Sequence, residues 1–175
     1  MNRLFWGLLF FLLDFEITVG TATFELLPDF VGFFLVMKGM EELAGENKFF
    51  DRGRHIAFGL LIVSVVIYAA DLMNPDTMTR VWLWALELAA LAAQLVLLRM
   101  MISGIGRMAN DYKLDLRCER LRTMWLVLAV MQPICHLVSW VPLVGSVCGV
   151  VSTAMGVCFL IAMYGTRKRF LEFEQ

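Results

Sequence analysis

The sequence predicts an all-α polytopic transmembrane bundle of about six helices, drawn as three outward-pointing hairpins. Composition, recurrent apolar runs and the placement of positive charge carry that prediction. Of 175 residues, 60% are hydrophobic and 18% are charged, against about 45–50% and about 25% in soluble domains. An ordinary core does not absorb that excess. A bilayer does, because each crossing asks for about 20 mainly apolar residues. Six such runs with short connections nearly fill the chain, so residues 1–175 are expected to form one integral membrane domain.

The apolar segments are Leu4–Gly20, Phe30–Met40, Ile56–Ala70, Val81–Leu98, Met124–Val141 and Leu143–Tyr164. The first opens on Met1-Asn2-Arg3, as a signal peptide does. Asp14 and Glu16 follow its apolar run at once and no A-x-A site appears, so an uncleaved helix is expected. The second is short. Pro28-Asp29 marks its start with Asp29 as the cap, and Lys38, snorkelling on its methylene stem, lets it reach Leu43. The third carries Ser64, Tyr68 and Asp71 at helical spacing, the fourth Glu87 and Gln94 on a stripe with Arg80, the fifth Gln132, His136 and Ser139. In the sixth, Gly145, Gly149, Ser152 and Gly156 form a small-residue face of the kind that lets helix backbones approach closely. Packing within the protomer is the first expectation for that face, and packing between protomers the second.

Positive charge resists translocation and collects in cytoplasmic loops. Arg3 precedes the first segment; Lys38, Lys48, Arg52 and Arg54 lie between the second and third. Arg99, Arg107, Lys113, Arg117, Arg120 and Arg122 lie between the fourth and fifth, and Arg167, Lys168 and Arg169 follow the sixth. Only Arg80 of the 15 basic residues falls on the other side. An even number of spans with both termini cytoplasmic, in a cell inner (plasma) membrane, follows from that pattern. The mixed-charge inner segments read first as solvated extensions of the helices and second as interfacial amphipathic helices. Arg167-Lys168-Arg169 also suits contact with anionic headgroups.

An ionisable side chain inside hydrocarbon costs about 2.5–3.5 kcal/mol on insertion scales, so it must face a partner, water or the bundle interior. Asp14 and Glu16 fall near mid-depth of the first segment. If the helix continues, Asp14, Thr18, Thr21 and Glu25 share one face, with Glu16 nearly opposite. Polar seams on at least four helices are expected to meet and hide from lipid. They act either as hydrogen-bonded glue or as a wettable interior lined by Asp14, Glu16, Glu87, Gln94, Gln132 and His136. The acids have only Lys38 and Arg99 as nearby cations, and carboxylates so placed take a proton or hold a cation, with His136 as a relay or a neutral hydrogen-bonding group.

No catalytic motif is present: no G-x-S-x-G, no P-loop, no H-E-x-x-H. Adjacent Cys135 and His136 point about 100° apart on a helix, which disfavours a dyad. No enzyme, cofactor or metal is therefore expected. Cys118, Cys135, Cys148 and Cys158 have no C-x-x-C spacing and read as small apolar filler, although Cys135 and Cys148 fall at matching depth and leave a disulfide open. Nucleic acid is not an expected partner, because topology accounts for the basic clusters.

The segment Leu27-Pro28-Asp29-Phe30-Val31-Gly32-Phe33, followed by Lys38-Gly39-Met40, resembles a recurring stretch of small uncharacterised polytopic membrane proteins of Gram-positive gut bacteria. That resemblance covers the first third best and implies a membrane location without an activity. Length and six-helix layout are also similar to the substrate-capturing subunits of energy-coupling-factor vitamin transporters. The Ala-x-x-x-Ala contact implied for helix 1 of that family is absent here, and Ala85, Ala89 and Ala93 carry the spacing in helix 4 instead, which puts the energising partner in doubt.

The expectation is a small bacterial membrane protein of transport or solute-binding type, with an interior acidic and polar site that is proton- or cation-linked. Its partners are the bilayer and a small cationic or polar solute. The competing class is a non-transporting subunit or scaffold that binds a protein or lipid partner, or a further copy of itself, through the helix 6 face and the cytoplasmic loops.

Overall fold

Six helices and one short β-hairpin make up the computed structural model, which describes residues 2–12, 16–19, 22–25, 29–73, 77–113, 118–138 and 142–174. The elements are α1 (Asn2–Leu12), β1 (Glu16–Val19), β2 (Ala22–Glu25), α2 (Asp29–Leu43), α3 (Lys48–Leu72), α4 (Thr77–Asp111), α5 (Cys118–Val138) and α6 (Pro142–Glu174).

The first segment departs from expectation. Instead of one helix to Gly20, α1 ends at Leu12 and an antiparallel hairpin follows, with Val19 opposite Ala22 and Glu16 opposite Glu25. The cause is local: Ile17, Thr18, Val19 and Thr23 are β-branched, which stiffens χ1 and favours strands. The proposed helical face of Asp14, Thr18, Thr21 and Glu25 is therefore not formed. Glu16 belongs to a strand, and Asp14 and Thr21 lie outside the described residues.

Elsewhere the helices begin and run as the sequence leads one to expect, but longer. Helix α2 starts at Asp29 and reaches Leu43. Much of the mixed-charge sequence extends the helices: α3 takes in Lys48 to Arg54, α4 runs on past Arg107 to Asp111, and α6 includes Arg167 to Arg169, while residues 44–47 and 112–113 are not helical. Asn47 sets the start of α3, because its Oδ1 accepts a hydrogen bond from the Phe49 N–H at 3.0 Å while its Nδ2 donates to the Gly104 carbonyl at 3.1 Å. Pro142 occupies the first turn of α6, where a missing N–H costs nothing.

Four helices are long and apolar enough to cross a membrane, over Lys48–Ala70, Val81–Asp111, Cys118–Val138 and Val150–Phe170. Helices α1 and α2, with 11 and 15 residues, do not reach that length.

Each helix packs against its neighbour in sequence, and α6 returns to α1. The contacts fix antiparallel directions throughout. Arg3 pairs with Glu42 at 2.9 Å, Phe30 meets Tyr68 edge-on, Phe50 packs on Gly104, and Arg167 lies 5.3 Å over the Phe5 ring. Asn2, Glu174, the turn between α2 and α3, the end of α4 and the start of α5 therefore gather at one end, which holds most of the described Lys and Arg.

Among the residues whose burial is described, the largest fully buried ones are Leu4, Leu8, Met40, Phe50, Leu97, Leu98, Met101, Ile105, Leu121, Leu128 and Phe159. Close backbone approach makes the α1–α2 contact possible. A Cβ at Gly7 would stand 2.7 Å from the Val36 nitrogen and 2.8 Å from the Gly32 carbonyl oxygen. Gly156 plays the same part between α6 and α1, where a Cβ would stand 2.8 Å from the Leu12 carbonyl oxygen. Of the small-residue face, Gly156 thus packs inside the protomer, and Ser152 is half-buried on the same helix. Gly145 and Gly149 lie on α6, one and two turns from its start.

Toward the opposite end the described outward surface is apolar. Val65, Val66, Trp82, Val130, Ile134, Leu137, Val147 and Val150 are exposed there, as a lipid-covered surface requires.

Candidate functional site between α4 and α5

Two contacts set the register of α4 on α5. The Trp84 and His136 rings stack at 5.6 Å with an interplanar angle of 13°, and Trp125 Nε1 donates to the Leu95 carbonyl at 2.9 Å. In antiparallel helices this pairing places Glu87 opposite Pro133, one residue from Gln132. Glu87 also follows Trp84 by three residues, so the two share a face. Trp84, Glu87, Gln132 and His136 therefore lie at one level of α4 and α5, within about one helical turn, with the Trp84 and His136 rings in contact.

The polar atoms at this level are shut away from solvent: Trp84 Nε1, Gln132 Oε1 and His136 Nε2 are all enclosed. Gln132 Oε1 has no hydrogen-bond donor among the described residues. Pro133, inside α5, supplies no N–H to the carbonyl of Ala129, so a second backbone acceptor is released one turn away. A carboxylate, an amide oxygen, a freed carbonyl and an indole face are groups that recognise a cation or a hydrogen-bond donor. His136 adds a group able to take or give a proton.

Of the six site residues named from the sequence, Glu87, Gln132 and His136 fall at this level of α4 and α5. Gln94 stands two turns along α4, level with Leu126 on α5. Glu16 lies in β1 and Asp14 outside the described residues. The two cations considered as partners for the acids are engaged elsewhere, Lys38 with Glu41 at 2.8 Å and Arg99 over the Trp125 ring at 5.2 Å.

Sequence reasoning missed Trp84, which reads as one more apolar residue. Its spacing of three from Glu87 was the available signal.

No family model, curated protein or solved structure matches this chain. Function must therefore be argued from the site. Among the described residues no group of three or more His, Cys, Asp or Glu side chains could hold a metal. No disulfide joins the cysteines; the Cys135 and Cys148 thiols lie close enough to interact across α5 and α6.

Outside the spans, two groups at the basic end are electrostatically tuned. The Lys38 ammonium, hydrogen-bonded to Glu41, holds that carboxyl below its ordinary range. Tyr112 donates to Glu46 at 2.8 Å, and the neighbouring carboxylate raises the phenol above its usual range.

Proposed function

We propose that this chain is a small multi-pass protein of a bacterial inner membrane that binds, and moves, a small cationic or polar solute at the α4–α5 polar site, with proton or cation coupling. The observation that supports it most is the stack of Trp84 on His136 with Gln132 Oε1 enclosed one turn away, at the level of α4 that carries Glu87. Enclosed polar groups in a span are costly and are kept where they contact a substrate, a proton or each other.

The topology proposed with it has both termini in the cytoplasm, by the positive-inside rule applied to the basic end of the bundle. Six crossings are compatible with the short first pair. Helix α1 rises about 16 Å and α2 about 22 Å, so six crossings go with a bilayer thinned locally at this pair. The hairpin would then cap the outward end.

The test is ligand-dependent thermal stability of the purified chain in detergent across pH, for wild type, Glu87→Gln and Asp14→Asn. A panel of monovalent cations and small amines serves as the probe. The proposal expects a pH- and cation-dependent stabilisation of wild type that Glu87→Gln weakens. No dependence in any variant would overturn it in favour of a subunit that binds a protein or lipid partner.

A further inference from the structure

We infer that the groove between the end of the apolar stretch of α4 and the first turns of α5 is a binding site for the headgroup of an anionic phospholipid. This rests on the chain lying in a membrane, and not on the solute site.

The groove is a half-open cavity of about 450 Å³, with Arg99, Ser103 and Gly106 on one wall and Glu119, Arg122 and Trp125 on the other. Arg99 follows directly on the apolar run Val81–Leu98, so its guanidinium sits where hydrocarbon gives way to headgroups. It is held there. Arg99 lies 5.2 Å over the Trp125 ring, and that ring is pinned by its own hydrogen bond to the Leu95 carbonyl.

Neither Arg99 nor Arg122 pairs with an acidic side chain among the described residues. Two guanidiniums on facing helices are thus available to a phosphate, which they recognise through paired N–H donors. The Glu119 carboxylate opposes an anion, but it is exposed and its first-turn position lets it turn to water.

Apolar surface continues out of the groove along Trp125 and Leu126, the latter half exposed. A soluble phosphate would have no use for that surface. A lipid would lay its acyl chains there, which is why a phospholipid is the occupant of choice.

Gly106 offers a way to close the site without changing its charge. A Cβ there has only Cys118 Sγ near it, at 4.0 Å, so a larger side chain would project into the cavity.

The experiment measures the shift in unfolding temperature of the full chain in detergent when phosphatidylglycerol, phosphatidylcholine or soluble glycerol phosphate is added. Wild type is expected to respond to phosphatidylglycerol well above phosphatidylcholine, and glycerol phosphate to do little. The apparent affinity for phosphatidylglycerol should fall about tenfold or more in Arg99→Gln/Arg122→Gln. It should also fall in Gly106→Leu, rise in Glu119→Gln, and stay unchanged in Arg52→Gln, whose side chain is exposed at the same end but away from the groove.

An equal loss in Arg52→Gln, or none in the double variant and Gly106→Leu, would reduce the effect to general surface charge and overturn the inference. An equal response to glycerol phosphate would overturn the lipid as the source. Failure of wild type to float with phosphatidylglycerol vesicles would remove the membrane premise itself, whereas floating without lipid preference would sink this site alone.

Discussion

Substituting Gly7 by Ala tests how closely α1 and α2 pack. The added Cβ would meet the Val36 nitrogen and Cγ2 at 2.7 Å and the Gly32 carbonyl at 2.8 Å. Two of these three atoms are backbone, so no rotamer change relieves the clash and the helices must separate. Overpacking of this kind costs about 1–3 kcal/mol. Replacing Gly by Ala in a helix interior returns about 0.8–1 kcal/mol. Gly59→Ala isolates that second contribution, because a Cβ at Gly59 has nothing within 4 Å. The two variants should therefore differ by about 1–3 kcal/mol, which is roughly 2–12 °C in unfolding temperature for a chain of this length. Thermal unfolding in one detergent, followed by circular dichroism, measures the difference. If Gly7→Ala is as stable as Gly59→Ala, the close approach of α1 and α2 is refuted.

Three further outcomes follow from particular contacts. Asn47→Ala should lose about 2 kcal/mol, from the α3 cap and the bond to the Gly104 carbonyl together, with Asn47→Asp in between because it keeps the acceptor; chemical denaturation reads both. Gln132→Leu should be neutral or stabilising by about 1 kcal/mol, since Oε1 is enclosed without a donor, and a clear loss in the same assay would show that the amide is satisfied. For Tyr112 the folded pKa lies above the ordinary value of 10.0, so its contribution is complete below pH 10 and is lost as pH rises through the raised value. A titration of phenolate absorbance should lose a late-titrating component in Tyr112→Phe, along with part of the alkaline decline in stability.

Apolar run length and positive charge made most of the helices legible, since α2 and the four long helices lie where those signals put them. The break after Leu12 was not. Within Glu16 to Glu25, polar and apolar residues can be read on a helical face or in strand alternation, and the β-branched residues favour the hairpin. Periodicity also assigned Glu87, Gln132 and His136 to polar stripes, yet a stripe says nothing of the level at which two helices meet. That level depends on Trp84 against His136 and Trp125 against Leu95, contacts between residues 30 or more positions apart. The groove at Arg99 and Arg122 was hidden for another reason: charges that set topology look the same in sequence as charges that bind.

The central claim is that the polar stripe of α4 turns inward while its opposite face meets lipid. Trp82 is 73% exposed, and Trp84, two residues on, has its Nε1 enclosed against α5. The most direct test compares single-tryptophan variants, retaining either Trp82 or Trp84, in vesicles with brominated acyl chains. Strong quenching of Trp82 and weak quenching of Trp84 is the predicted result; equal quenching, or a reversed order, would contradict the account.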